Sequence, residues 1–293
     1  TTQSIVDHCG GPTLPNCSMG YDRGGDRFMD EVDYDISMEP GYLISHTVAE
    51  NKPFSDVLTT QSTIMTGTFG YFMAGRGKGF WERWPGGSIA DANHAIFTAP
   101  KVLDRKHYWI NRNASHAGVL TTQAYQIITN GRRAKANRTY ETFLCKKFTV
   151  PDGAQADPAD ANPDLTKRTY CSYCHKSLEP MAAFFNRWPD TGNINYHYDN
   201  NKDPKNDTGR YNGMEGKGAP AFGKILAESD GFDECSIRRA FEFVNGRKMG
   251  FVEHDNILPA YLESFRAEQK NLRKVIKAMV LSPDFLEPKG ASK

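Results

Sequence analysis

The sequence predicts a mainly α fold, an irregular set of helices preceded by an extended, loop-rich N-terminal segment. Three observations predict it. After Pro53, apolar residues recur at three- and four-residue spacing over much of the chain. Residues 1–52 are instead rich in Gly, Pro, Asp and aromatic residues, with no sustained period. The third is Cys171-Ser172-Tyr173-Cys174-His175, a C-x-x-C-H motif in helical surroundings. Two thiols within one helical turn are spaced to form thioethers to the two vinyl groups of a single porphyrin. The adjacent His lies where its imidazole can serve as the proximal iron ligand. The expected class is therefore an irregular multi-helix c-type haem domain. One covalent haem c is held by Cys171 and Cys174, and its iron by His175. A bare C-x-x-C also serves as a redox dithiol or as half of a zinc site. The chain has no second C-x-x-C, and no strand is read before this one.

Four stretches follow in order. Residues 1–52 read as an extended, loop-rich arm. Residues 53–150 form a helical part. It opens with Phe54, Val57, Leu58, Ile64, Met65, Phe69, Tyr71 and Phe72 at mixed helical spacing. The Gly-rich run 74–88 has no preceding strand and no Gly-Lys-Ser/Thr, so it is no phosphate loop, and Trp81 and Trp84 in it read as packing anchors. Leu120 to Ile128 and Tyr140 to Phe148 read as short helices, with Gly131 ending the first. Residues 151–168, rich in Pro, Asp and Ala, form a solvated linker. Residues 169–293 form the haem-bearing part. Leu178, Met181, Ala182, Phe184 and Phe185 follow the motif as a face suited to porphyrin. Helices are expected near 221–229, 233–245 and 256–280, the last with Leu258, Leu262, Phe265, Leu272, Val275, Ile276 and Met279 on one side.

Composition narrows the setting. A chain of 293 residues with net charge +1 can bury a full core and carries no strong basic block, so nucleic acid is not an expected partner. No apolar run is long enough to span a bilayer. The chain starts Thr1-Thr2-Gln3-Ser4, as expected after removal of a signal peptide. Of the six cysteines, Cys9, Cys17, Cys145 and Cys235 remain once the haem pair is set aside, and four cysteines allow three connectivities. Cys9 and Cys17 flank a short Gly/Pro loop suited to a ring, and Cys145 and Cys235 lie on either side of the haem motif. Disulfides together with covalent haem indicate an oxidising compartment, the periplasm or the cell exterior.

The second axial position decides between a carrier and an enzyme, because a saturated iron passes electrons and a vacant one binds small molecules. Met214, in a Gly-rich loop after the haem helix, is the candidate second metal ligand beside His175. Met249, His116 and His197 are the further candidates. Met181 is too near His175 on the same helix to cross to the other face, and is expected against the porphyrin. Arg247 and Arg187 are candidates for the haem propionates, since Arg pairs bidentately with carboxylates. No Gly-x-Ser-x-Gly, His-Glu-x-x-His or Walker motif occurs, and Asp26, Asp30, Glu31, Asp33 and Asp35 lack EF-hand spacing.

Several stretches bear a family resemblance. They are Pro53-Phe54-Ser55-Asp56-Val57-Leu58-Thr59, Ala117-Gly118-Val119-Leu120-Thr121-Thr122, Leu144-Cys145, the run from Cys171 to Pro180, and Cys235 with Val244-Asn245-Gly246-Arg247. In order and spacing, over roughly residues 50–285, they resemble the C-terminal half of large bacterial c-type haem proteins built from adjoining domains of unknown function. The resemblance implies a secreted, mainly helical protein with one covalent haem and a Cys145–Cys235 pair, and supplies no reaction. Glu179-Pro180-Met181 stands where that family has Asp-Pro-Gly, and most of its long N-terminal extension is missing. The expected function is an exported monohaem cytochrome that passes single electrons to redox partner proteins, within a homo- or hetero-oligomeric assembly in one version. The alternative is a haem enzyme with an open distal site, peroxidase-like.

Overall fold

The computed structural model describes residues 26–76, 95–98, 104–129, 131–188 and 207–286. Cys9, Cys17, Trp81, Trp84 and His197, each read above from sequence, lie outside the described residues. The described chain is mainly helical, with two short antiparallel sheets.

Helix α1 (Asp26–Ala49) occupies the second half of the segment read as an extended arm. It buries Val32, Ile36, Glu39, Leu43 and Thr47, a set spaced by three and four residues. Two of those five are polar, which breaks the apolar period in the sequence, and Pro40 sits inside the helix. The stretch after Pro53 also differs from the single helical pattern expected. It forms a turn of helix, α2 (Asp56–Thr59), then strand β1 (Ser62–Thr66), then α3 (Gly67–Arg76). Strand β1 pairs antiparallel with β2 (His107–Asn111), from Ser62 opposite Asn111 to Thr66 opposite His107. Thr63 to Thr66 are all buried, so β1 is covered on both faces and shows no alternation.

A 3₁₀ turn (Gly118–Thr121) leads into α4 (Gln123–Ile128), whose N-cap Thr122 accepts from the Tyr125 amide. Helix α5 (Arg132–Phe143) begins well before the expected Tyr140 and ends before Phe148. Residues 151–168 are turn-rich and largely exposed. Helix α6 (Ser172–Ala183) packs on α5 and on strand β3 (Thr208–Tyr211). The expected loop around Met214 is a hairpin, β3 with β4 (Met214–Lys217), closed by Asn212-Gly213 at φ 51° and 80°. That dipeptide with both residues left-handed is the preferred two-residue hairpin turn.

Helices α7 (Gly218–Ala227) and α8 (Asp230–Asn245) follow, the latter capped by Ser229 and ended by left-handed Gly246. The pattern expected as one helix over 256–280 divides among α9 (Phe251–Asn256), α10 (Leu258–Ala267) and α11 (Leu272–Val280). Gln269 and Lys270 break it at φ 53° and 59°, and Asn271 recaps the chain through the Lys274 amide. Lys270 is held there by the Ala227 carbonyl at 2.7 Å and Asp233 at 2.6 Å.

The main core joins α2, the 3₁₀ turn, α6 and α7 through Leu58, Leu120, Met181, Phe184, Phe185 and Phe222. Phe184 and Phe222 stack at 4.5 Å, and an added Cβ at Gly209 would lie 2.5 Å from the Phe184 ring. Glycine at 209 therefore lets β3 lie directly on the end of α6. A second core gathers α8, α10 and α11 around Phe241, Phe265 and Val275. The disulfide Cys145–Cys235 joins the end of α5 to α8 across a separation of 90 residues.

Candidate functional site

The approach to the motif is pinned locally. Asp157, Asn162 and Asp164 side chains each accept from a backbone amide two residues on, the Asx-turn pattern, and Asp160 Oδ2 accepts from the Thr169 amide at 3.1 Å. Cys171 is the N-cap of α6, and the His175 amide donates to the Cys171 carbonyl at 3.0 Å. Cys171 and Cys174 therefore share one turn, with His175 immediately after. Both thiols are free and half-buried, whereas Cys145 and Cys235 are bonded to each other. Tyr170 and Tyr173 beside them are exposed. The motif is thus a solvent-reachable seam with two thiols that are not bonded to each other.

His175 Nδ1 lies 2.7 Å from Glu179 Oε1, one turn further along α6. The same oxygen accepts from Arg133 Nε of α5 at 2.6 Å. Burial pushes the Glu179 carboxyl up, but the hydrogen bonds from His175 and Arg133, with the charge of both, hold it below the usual carboxylate range. An ionised carboxylate has no proton to give, so Nδ1 of His175 carries the hydrogen and donates it. In its neutral form an imidazole so oriented has its Nε2 lone pair available for a metal, the arrangement in which metal-bound histidines are usually held. Sequence reading missed this role of Glu179, although the i,i+4 spacing was visible.

The other sequence candidates sit as follows. Met181 is 1% exposed and belongs to the main core with Ala182, Phe184 and Phe185. That apolar face, expected against porphyrin, packs on the protein's own helices and β3. Met214 starts β4 at the hairpin turn, 37% exposed, and β3 carries the hairpin onto α6. Arg247 is occupied by Glu253, with Nη1 at 2.8 Å from Oε2, and lies over the Phe241 ring. Arg187 pairs with Asp207. Each guanidinium thus already has one carboxylate partner. Met249 packs at the edge of the second core.

His116 is fully buried, with Nδ1 at 2.5 Å from Thr121 Oγ1 and no hydrogen-bond partner for Nε2 among the described residues. Burial, and then the nearby Arg112, hold it well below its ordinary range, so its ring is neutral. Arg112 is itself buried against Glu39, which accepts from Thr63 Oγ1 at 2.6 Å and from the Gln123 amide at 2.8 Å. Burial lowers the Arg112 guanidinium to about 10 against the opposing pull of Glu39. Sequence reading found none of this ion pair. Its partners lie far apart in the chain, and Glu39 lies in the segment read as an arm.

Among the described residues no group of three or more His, Cys, Asp or Glu side chains could hold a metal ion. A haem iron needs none, since the porphyrin supplies four of its ligands. Among the described residues no helix is long and apolar enough to cross a membrane.

A family model described as a protein of unknown function (DUF1585) matches residues 212–285, from the β3–β4 turn to the C-terminal helices. It places a domain of unknown function in the C-terminal half of the chain and begins after the C-x-x-C-H motif. No curated protein and no solved structure matches the chain.

Proposed function

We propose that this chain is an exported monohaem c-type cytochrome that passes single electrons between redox partner proteins. The observation that carries the reading is the geometry of the motif. Cys171 and Cys174 lie on one helical turn and are not bonded to each other, whereas Cys145 and Cys235 are paired, and His175 is oriented by Glu179. These residues fit a covalent haem. Cys171 and Cys174 would hold the macrocycle and His175 its iron, and the bound group would supply a reversible one-electron couple. The chain's own part is to fix the imidazole through Glu179 and Arg133, and to keep the attachment seam at the surface, where an electron can enter or leave. The disulfide, together with thioether chemistry, supports a periplasmic or extracellular location.

Met214 remains the proposed second ligand of the iron, because its side chain would be available, partly exposed at the turn of a hairpin whose β3 strand packs on α6. The partial exposure of Met214 also favours the second reading, a haem enzyme with an open distal position. Absorption spectra of the reduced protein with carbon monoxide separate the two. A low-spin spectrum unaffected by carbon monoxide supports the carrier, and a high-spin spectrum that shifts moves the enzyme to the front.

The assembly version loses part of its basis, since residues 26–49 are a helix anchored in the core rather than a free arm. What supports it is the exposure of large apolar side chains on and after α8, where Phe243, Phe251 and Val252 are 82%, 92% and 73% exposed. A mass measurement that stays monomeric as concentration rises counts against it.

A further inference from the structure

A concave pocket of about 280 Å³ opens where the end of α5 meets α8, over the Cys145–Cys235 disulfide. Six cations line it: Arg138 from α5, Lys146 and Lys147 from the segment after it, Arg238 and Arg239 from α8, and Lys248. Only two carboxylates, Glu141 and Glu242, line it with them. The whole chain carries 36 Lys and Arg against 35 Asp and Glu, so this balance is local.

Existing pairs absorb little of the charge. Glu242 takes Arg239 at 2.9 Å, and Arg238 reaches Glu234 at 3.4 Å. Arg138, Lys146, Lys147 and Lys248 form no ion pair among the described residues. Lys146 and Lys147 follow the C-terminal end of α5, where positive charge offsets the helix dipole. That accounts for two of the six and leaves the rest.

Like charges gathered in a concavity repel one another, and low-dielectric walls strengthen their field. Exposed lysines on separate elements would ordinarily swing apart. Here the elements that bear them are joined covalently, since Cys145 is itself part of the lining and Cys235 belongs to α8. The fold therefore holds together a cluster that costs free energy when empty and gains it when an anion enters.

We infer that this pocket binds a small polyanion with two adjoining phosphate groups, of the pyrophosphate type. Arginine forks match phosphate oxygens bidentately, and lysines serve them as point charges. The volume suits a ligand of that size rather than a macromolecule. None of Cys171, Cys174, His175 or Met214 lines the pocket, so the inference stands apart from the haem reading.

Calorimetric titration of the full-length protein with inorganic pyrophosphate at low ionic strength tests it. Citrate serves as the polycarboxylate comparison and sodium chloride of matched ionic strength as the control. The expected result is saturable one-site binding of pyrophosphate, tighter than citrate. Arg138→Gln with Lys248→Gln, and separately Lys146→Gln with Lys147→Gln, should each weaken it by about tenfold or more. Lys277→Gln, an exposed cation on α11 outside the pocket, should leave it unchanged. Circular dichroism checks that each variant is folded. No saturable heat with the wild-type protein, binding no tighter than citrate, or equal weakening by Lys277→Gln would each overturn the inference.

Discussion

Glu179 accepts a hydrogen bond from His175 Nδ1 at 2.7 Å while holding Arg133 Nε at 2.6 Å on the same oxygen. Two helices are thereby tied at the residue that follows the paired thiols. A charged acceptor on the far nitrogen makes the imidazole more basic and favours the more positive metal state.

Glu179→Gln keeps the shape and removes the charge. In the haem-loaded protein it should shift the ferric–ferrous equilibrium about tenfold toward the reduced form, a rise of about 59 mV for one electron. A mediator titration reads this directly. An unchanged midpoint would mean that the hydrogen bond does not reach the iron.

The Cys145–Cys235 bond closes a loop with a sequence separation of 90. Chain-entropy arguments for a loop of that length give about 4.6 kcal/mol. Cys145→Ser with Cys235→Ser should lower unfolding stability by that order, measured by urea denaturation without reductant. Reductant should bring the wild type toward the variant and leave the variant unmoved. A variant as stable as the parent would remove the staple from the account.

Glu39 and Arg112 form a buried pair with almost no exposure on either side chain. Glu39→Ala strands the guanidinium and should cost about 3–5 kcal/mol. Glu39→Leu combined with Arg112→Met should recover most of that loss, because both charges are then gone. Denaturation curves of the two variants decide it, and a double variant no better than the single one contradicts the pairing.

Much of the fold's departure from sequence expectation comes from such buried polar groups. The inward stripe of α1 includes Glu39 and Thr47, with Asp35 also buried and Pro40 beside them, so hydrophobic period fades where the helix is most firmly held. Strand β1 hid for the opposite reason, since burial on both faces erased the alternation that marks a strand. The break at Gln269 and Lys270 depends on long-range contacts to Ala227 and Asp233, which no local window contains. The C-x-x-C-H motif was legible because its chemistry is local to one turn. Glu179 was one turn away and equally readable, yet its partner Arg133 comes from another helix.

Asp35 gives a pH signature. Burial raises its carboxyl, only partly offset by the Thr66 hydroxyl. A folded pKa above the unfolded one means its favourable contribution is full below the unfolded value, 3.8, and is lost as pH rises through the folded value. Asp35→Asn should therefore gain stability relative to wild type at neutral pH, and that advantage should shrink as pH falls toward 3.8. Paired thermal melts across that range test the sign. A constant difference would show that Asp35 titrates alike in both states.

The proposed function requires a single covalent haem on Cys171 and Cys174. The most direct test is the intact mass of the protein under denaturing conditions, after expression in a host competent in c-type maturation. The expected result is a mass increased by one haem that survives denaturation, and its loss in Cys171→Ser with Cys174→Ser. A wild-type mass equal to the bare polypeptide, from a host that matures other c-type haem proteins, would contradict it.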